Sequence, residues 1–470
     1  MPRNAECIIK KLSRHKRPQT IVLLINRIPC VLAFAALACF PSFAAGSPAE
    51  VHPRLGLMVK DASSGATMTL LTRHQQYSWS ERATLDRDVF SPKSVNFSPD
   101  GSKYYVNMLE GCRTVVYDAH THAKLAVISH NITAADSALW SPQTPLYKFR
   151  HYRERNVRVF GGRPVEGAFS HGGRYFWVPY YRRDFDINAQ EPSAVAVIDT
   201  RADTIVRILD VGTLPKMVAV SPWNDVVAIA HWGDNTVGLI DITDTRPRMW
   251  RQRANVVIDR RLNLDLPLDR KVDRDNGSGN ALRGTVFTPQ GRYVLVACMG
   301  GMGGIAVVDV HRGCFVGRLT GMLPNIRHLV VANDCLYLSA NRAGAVQRVP
   351  MSKVMDAIAR LHGVGSKNGK KLHSVALNAH DIKTLRLTGG IRTISVTADG
   401  RYLLAASNTA SCLHLVDART LRKMLTIPAD SYPVGLDVSP DGSVIVSTSQ
   451  GRDHKGGNAI DVYTLELPNR

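Results

Sequence analysis

Five cationic residues, Lys93, Lys216, Arg283, Arg327 and Arg392, stand at one register of a repeated sequence phrase. The phrase is an apolar run that ends in a tight turn, as in Ser94-Val95-Asn96-Phe97-Ser98-Pro99-Asp100-Gly101, and each cation lies five residues before the equivalent of Ser98. In two repeats that register holds Val165 and Val434 instead. Side chains of one sign brought together add their fields in a cleft of low dielectric. The planar fork of arginine also matches carboxylate or phosphate. The chemistry on offer is anion binding. The competing reading is a set of surface charges, each solvated or paired with a nearby carboxylate.

The residues that follow the second strand of each phrase face the same way as this register. They include Trp177-Val178-Pro179-Tyr180-Tyr181-Arg182-Arg183-Asp184, His231-Trp232-Gly233-Asp234-Asn235, Asn341-Arg342, Asn408 and Ser449-Gln450-Gly451-Arg452. Aromatic bodies with polar tips, mixed with arginine, are what recognition surfaces use. The expected binding set is therefore a ring of Lys93, Lys216, Arg283, Arg327 and Arg392, with Tyr180, Arg182, Arg183, His231, Asn341, Arg342 and Arg452 above it. Its gap at Val434, beside Ser449 to Arg452, is where contacts other than charge are expected. The bland alternative packs Trp177 and Trp232 between blades, the sheets that the repeats build, and pairs Arg182 or Arg183 with Asp184.

Signals for catalysis are thinner. His171, His231 and His328 fall in different repeats, and His231 or His328 is the candidate general base. Asp273-Arg274-Asp275-Asn276-Gly277 lacks the ligand spacing of a calcium loop, and no helix follows the glycines between 300 and 304 to make a phosphate loop. No nucleophile elbow, paired Cys/His or haem-attachment motif is present. No metal site is expected, and no cofactor is indicated.

What must position these residues is a repeated meander of strands. The phrase at Pro433 to Gly442 is followed by strands at Val444 to Ser447 and Ala459 to Tyr463. Proline at the first central position of its turn and glycine at the end fit the backbone angles required there. The same pattern starts near Ser94, Gly167, Met217, Thr285, His328 and Thr393, with a degenerate turn at Ala332-Asn333-Asp334. Seven such units predict an all-β, seven-bladed β-propeller. The last unit has three strands before the chain ends, so a strand preceding the first unit is expected to close it, which also removes exposed sheet edges. Insertions at about 131–163, 243–282 and 351–388 interrupt the period, and 352–361 has the apolar spacing of a short surface helix.

Of the net charge of +20, residues 1–44 contribute seven basic and one acidic side chain, which leaves 52 basic against 38 acidic, or +14, for the rest. That excess favours anionic partners, small molecules or acidic proteins. The segment 1–44 reads as a secretory leader: a basic run, an apolar stretch to Phe40, then Ser42 and Ala44 ahead of a cleavage site. A periplasmic or extracellular location and one propeller domain over 45–470 follow, with no membrane span after cleavage and a monomer expected. Retention as an anchor is disfavoured because Val31 to Phe40 is short against the roughly 20 residues of a span. Lipid attachment at Cys39 is disfavoured by Leu37. Five cysteines remain, Cys112, Cys298, Cys314, Cys335 and Cys412. An odd, widely spaced set is no disulfide framework, so most are expected to be buried small hydrophobes, with one bridge allowed.

The repeated turn, with an aspartate ending the third strand, resembles the YVTN-type, YncE-like bacterial propellers over roughly residues 55 to 467. The likeness is densest at Trp177 to Arg183, His231 to Asp241, Leu282 to Pro289 and Ser431 to Leu436. The resemblance implies the fold and leaves the function open, because propellers of this kind include binding proteins, lactone hydrolases, lyases and haem-bearing domains. The expected function is an exported binding protein for an anionic ligand at the channel mouth. The alternatives are a hydrolase or lyase acting on an anionic substrate, and a non-specific nucleic-acid or envelope-surface binder.

Overall fold

The repeated turn behaves as its residue types require. Ser98 Oγ donates to Asp100 Oδ1 at 2.6 Å, the Gly101 amide donates to the Ser98 carbonyl at 2.9 Å, and Gly101 takes a φ of 73°. Thr397 and Ser439 make the same side-chain bond to Asp399 and Asp441. In a computed structural model that describes residues 53–77, 83–152, 154–262, 264–274, 279–363, 373–453 and 455–467, these turns join the first two strands of successive antiparallel sheets. The expected leader at 1–44, with Cys39, and residues 275–277 lie outside the described residues.

Seven sheets form, with inner strands Pro92–Phe97, Ala168–Ser170, Pro215–Val220, Leu282–Phe287, Ile326–Ala332, Ile391–Val396 and Pro433–Val438. Inner strands of consecutive sheets lie against one another, which makes the chain a seven-bladed β-propeller. Thr67–Gln75 pairs with Ala459–Glu466 as the fourth strand of the last blade, the expected closure. Seven apolar clusters lie one between each pair of neighbouring blades, and an eighth, smaller one gathers Ala189, Leu214, Trp232 and Ala281. Each blade is apolar on both faces because each is covered on both.

The insertions hold more order than expected. Phe160–Pro164, inside the first, pairs with the far half of Tyr175–Arg183 and extends the second blade. Arg251–Val257, inside the second, is the outer strand of the third blade. Its opening run of Arg251, Gln252 and Arg253 suits a half-exposed edge and hides the strand from a search for apolar runs. The third holds helix α1, Met351–Gly363, and the outer strand of the fifth blade, Lys383–Arg386. The helix buries Met351, Val354, Ala357, Ile358 and Leu361 against the fourth and fifth blades. Gly317 makes room for it, since a Cβ there would come within 2.9 Å of Leu361 Cδ2. The turn at Asn333-Asp334 is a two-residue hairpin with φ of 46° and 53°, the left-handed pair that Asn and Asp tolerate.

The five cysteines described are free thiols; Cys298 and Cys412 are buried, Cys112 and Cys335 half-buried and Cys314 exposed. Fewer are buried than the composition suggests. Among the described residues no helix is long and apolar enough to cross a membrane.

Candidate functional site

The cationic register coincides with a break in the strand ladder. In the first blade Pro92 faces Met108 and Ser94 faces Asn107, so Lys93 is an extra residue with no partner across the pair. The register slips in the same way around Lys216, Arg283, Arg327, Arg392 and Val434. In the second blade the pairing passes from Pro164 opposite Tyr180 to Ala168 opposite Trp177, again with one residue more on the inner side, next to Val165. A β-bulge takes a side chain out of the alternation between faces and re-aims it. Seven bulges at one height therefore bring Lys93, Val165, Lys216, Arg283, Arg327 and Arg392 to one space, while Val434 is buried and does not line it. Two glycines keep the ring tight: a Cβ on Gly284 would lie 2.6 Å from Leu329 N, and one on Gly435 2.9 Å from Ser94 Cα.

In six of the seven blades the chain turns sharply two residues before the bulge. Ser91, Leu214, Ala281, Asn325, Gly390 and Tyr432 all have φ between 49° and 80°. Five of the six are not glycine, a strain of order 1 kcal/mol each that the surroundings must hold in place. Their carbonyls accept amide hydrogen bonds, at 2.9–3.2 Å, from the residues that follow the second strands, namely Leu109, Trp232, Met299, Asn341, Asn408 and Gln450. A second tier thus sits above the bulges, locked by one repeated bond.

The two tiers enclose a cavity of about 690 Å³. Its lining includes Lys93, Lys216, Arg283, Arg327, Arg342 and Arg392, with Tyr181, Trp232, Tyr432, Asn325, Asn341 and Gln450, and no carboxylate among the described residues that line it. Lys93, Lys216, Arg283 and Arg392 are only 4–7% exposed, and Arg327 is half-buried. Aromatic faces carry part of the charge: Lys216 Nζ lies 3.9 Å from the Tyr181 ring centre, and the Arg283 guanidinium 4.5 Å from that of Trp232. Such contacts offset burial of a cation without neutralising it. The Glu166 carboxylate lies 3.8 Å from Lys93 Nζ, which makes no hydrogen bond among the described residues. Burial, the Arg392 guanidinium and those of Arg283 and Arg327 push the Lys93 ammonium well below the usual lysine range, against the pull of Glu166. Burial and the Arg392 and Arg283 guanidiniums likewise push Arg327 down. Both shifts mean that these cations repel one another, and an anion in the cavity would relieve them.

Other expected binding residues do not reach this space. Tyr180 is fully buried in the cluster between the first two blades and hydrogen-bonds His130 Nδ1 at 3.0 Å. Arg183, 1% exposed, pairs with Asp210 at 2.7 Å and lies over the Phe149 and Phe160 rings. Both are drawn inward because their strand runs on to residue 183 and is covered by Phe160–Pro164. Arg182 donates to the Asp184 carbonyl at 2.8 Å. Arg452 is exposed, pairs with Asp453 at 3.7 Å and lines a neighbouring cavity that shares Gln450 with this one. His231, expected in the binding set and as a base, is fully buried: Nε2 accepts from the Gly212 amide at 3.0 Å, and Nδ1 bonds Thr236 Oγ1 at 2.8 Å. Nε2 thus ties the third blade to the second, and Nδ1 is occupied within the third blade. His328 follows Arg327 on its strand, bonds the Ile394 amide at 3.4 Å and does not line the cavity. His171 stacks on Trp250.

Residues absent from the expected set are Tyr181, Trp232, Tyr432, Asn325, Gln450 and Glu166. Trp232 and Gln450 stand in runs already singled out; Glu166 was detectable as an acidic residue beside the gap at Val165. Tyr432 and Gln450 fill the gap at Val434 with an aromatic face and an amide.

The buried histidines carry a pH dependence. Burial lowers His74 and His414 to about 4, and His130 and His231 to about 3, from 6.5. Below pH 6.5 each binds a proton in the unfolded chain alone, so its stabilising contribution, complete above that pH, is lost as acid approaches the folded value. Burial raises Asp234 and Asp437 to about 6 from 3.8, and between those values they act in the opposite sense. Four groups against two leave the unfolded state about two protons richer near pH ~5, a loss of about 3 kcal/mol per pH unit. Urea unfolding midpoints are expected to fall from neutral pH toward pH ~4 on that account, with a shallower slope in His231→Gln. A midpoint that is flat or rises toward acid would contradict this assignment.

No protein-family model and no curated protein matches the chain. Among solved structures, the Myceliophteria thermophila Cps50 (Swd1) β-propeller domain superposes with a TM-score of 0.52 at 12% identity, over 80% of this chain and 97% of that one. Kuenenia stuttgartiensis hydrazine synthase superposes with a TM-score of 0.51 at 15% identity, over 83% of this chain and 99% of that one. At these identities the likeness is one of fold.

Proposed function

We propose that this chain is a binding propeller of the YVTN type, exported by its leader, whose cavity takes up a small anionic ligand or the acidic group of a partner. One observation carries the reading: six cationic side chains line a single cavity of about 690 Å³ with no carboxylate among the described lining. That size suits a metabolite-scale guest. The aromatic faces beside the cations give such a guest an apolar wall as well as charge. Catalysis by His231 loses support because both of its nitrogens are committed to packing. Binding of a nucleic-acid duplex is disfavoured by the recessed cations, since a phosphate backbone is held by charges at the surface.

Calorimetric titration with citrate and pyrophosphate tests the reading. One molecule of either is expected to bind per chain, with loss of binding in Lys216→Ala, Arg392→Ala. Unchanged affinity in that variant, or tighter binding to DNA than to either small anion, would overturn the proposal.

A further inference from the structure

Lys93 differs from the rest of the ring in ways that charge recognition alone does not explain. A lysine that serves only as a cation gains from acceptors around its ammonium. Lys93, 4% exposed, is among the residues that line the cavity, and its Nζ is itself buried and makes no hydrogen bond among the described residues. Arg283, Arg327 and Arg392 line the same cavity, and their guanidiniums act on its charge. The Glu166 carboxylate stands 3.8 Å off, an ion pair longer than a hydrogen bond, from which a small movement would allow proton exchange. A buried amine beside other cations favours its neutral form, which is the nucleophile. Glu166 raises its proton affinity, Arg392, Arg283 and Arg327 lower it, and burial lowers it further. The outcome is a buried amine at the edge of a space built to dock an anion.

We infer that Lys93 condenses reversibly with the carbonyl carbon of a small 2-oxo carboxylate whose carboxylate is held by the arginines of the ring. The inference rests on the proposed reading of the cavity as an anion site and names its ligand class. The neutral amine attacks the carbonyl carbon, and the new C–N bond forms as the C–O π bond opens to a hydroxyl. The nitrogen then loses a proton, with Glu166 as the acceptor at hand, and the hydroxyl leaves as water after protonation. Amine and ketone give imine and one water, with no change in oxidation state. Glu166 is the group placed to move both protons.

The test is reductive trapping. The full chain is incubated with pyruvate or glyoxylate, treated with cyanoborohydride and mapped by peptide mass spectrometry. Selective alkylation at Lys93 is expected, roughly tenfold or more above any other lysine, because an ordinary lysine at neutral pH is almost wholly protonated. Citrate should suppress it, and the rate at Lys93 should level off at a pH below the ordinary lysine value. Lys93→Met should abolish this labelling while keeping the wild-type circular dichroism spectrum and melting temperature, which shows that the variant folds. Labelling spread evenly over surface lysines, with citrate binding intact, would overturn the imine and leave the anion site standing. Absence of both citrate binding and selective labelling in the wild-type chain would overturn the two together.

Discussion

Replacing Arg283 and Arg327 together by alanine is expected to abolish anion binding while leaving the propeller folded. A hydrogen bond to a charged group is worth about 1.5–3 kcal/mol, and two guanidiniums removed from one ligand cost about 3–6 kcal/mol, a loss of roughly a hundredfold to ten-thousandfold. The ligand-free protein should lose little stability. Arg327 is held down by burial and by the Arg392 and Arg283 guanidiniums, so removing two charges lessens repulsion within the ring. Calorimetry with citrate and a thermal melt of the same samples read the two halves. Arg182→Ala is the control, since that side chain spends its charge on the Asp184 carbonyl and should change neither. A double variant that binds citrate as the wild type does would remove the ring from the account. One that fails to fold would show that these charges are structural.

The largest expected loss of stability lies at the ring closure. Arg73, on the N-terminal strand, sets Nε 2.5 Å from Asp461 Oδ1 and 3.8 Å from Asp430 Oδ2, with the three side chains no more than 2% exposed. Asp461 Oδ2 also accepts from the Asp430 amide at 3.1 Å and the Tyr463 hydroxyl at 3.3 Å. Asp461→Ala removes the nearer partner of a buried guanidinium and should cost about 3–5 kcal/mol. The damage falls on the pairing of Thr67–Gln75 with Ala459–Glu466, so faster proteolysis of the N-terminal strand should accompany a lower denaturation midpoint. Replacing Arg73 and Asp461 together by leucine should recover much of the loss, because it removes the stranded charge with its partner. A single Asp461→Ala variant as stable as the wild type would mean that the closure rests on the strand ladder and its apolar faces alone.

The propeller was legible because its turn has a mechanism. Ser98, Asp100 and Gly101 each satisfy a local backbone need, and those needs survive substitution from blade to blade. The cationic register could be found because it is fixed in number from that turn. Its cause was not legible. A bulge is one residue more on one strand than on its partner, and no residue type marks it: Lys93, Arg283 and Val434 occupy equivalent bulges.

The misplaced residues share a different origin. Tyr180, Arg182 and Arg183 look like a recognition loop when read along the chain. What buries Tyr180 and Arg183 is Phe160–Pro164, a strand inside an arginine-rich stretch that has no apolar run to announce it. Arg183 finds Asp210 from a distant part of the chain, and only the folded blade brings the pair together. His231 shows the same limit, since its partners are a glycine amide and a threonine hydroxyl with no histidine-binding signature.

The central claim is that the cavity ringed by Lys93, Lys216, Arg283, Arg327 and Arg392 holds an anion. Native mass spectrometry of the full chain purified at low salt from its native host, alongside the Arg283→Ala, Arg327→Ala variant, tests it most directly. The account predicts one small anionic molecule retained per wild-type chain, displaced by citrate and absent from the variant. Equal retention by both proteins, or a wild-type chain that carries no anion and takes up neither citrate nor pyrophosphate, would contradict it.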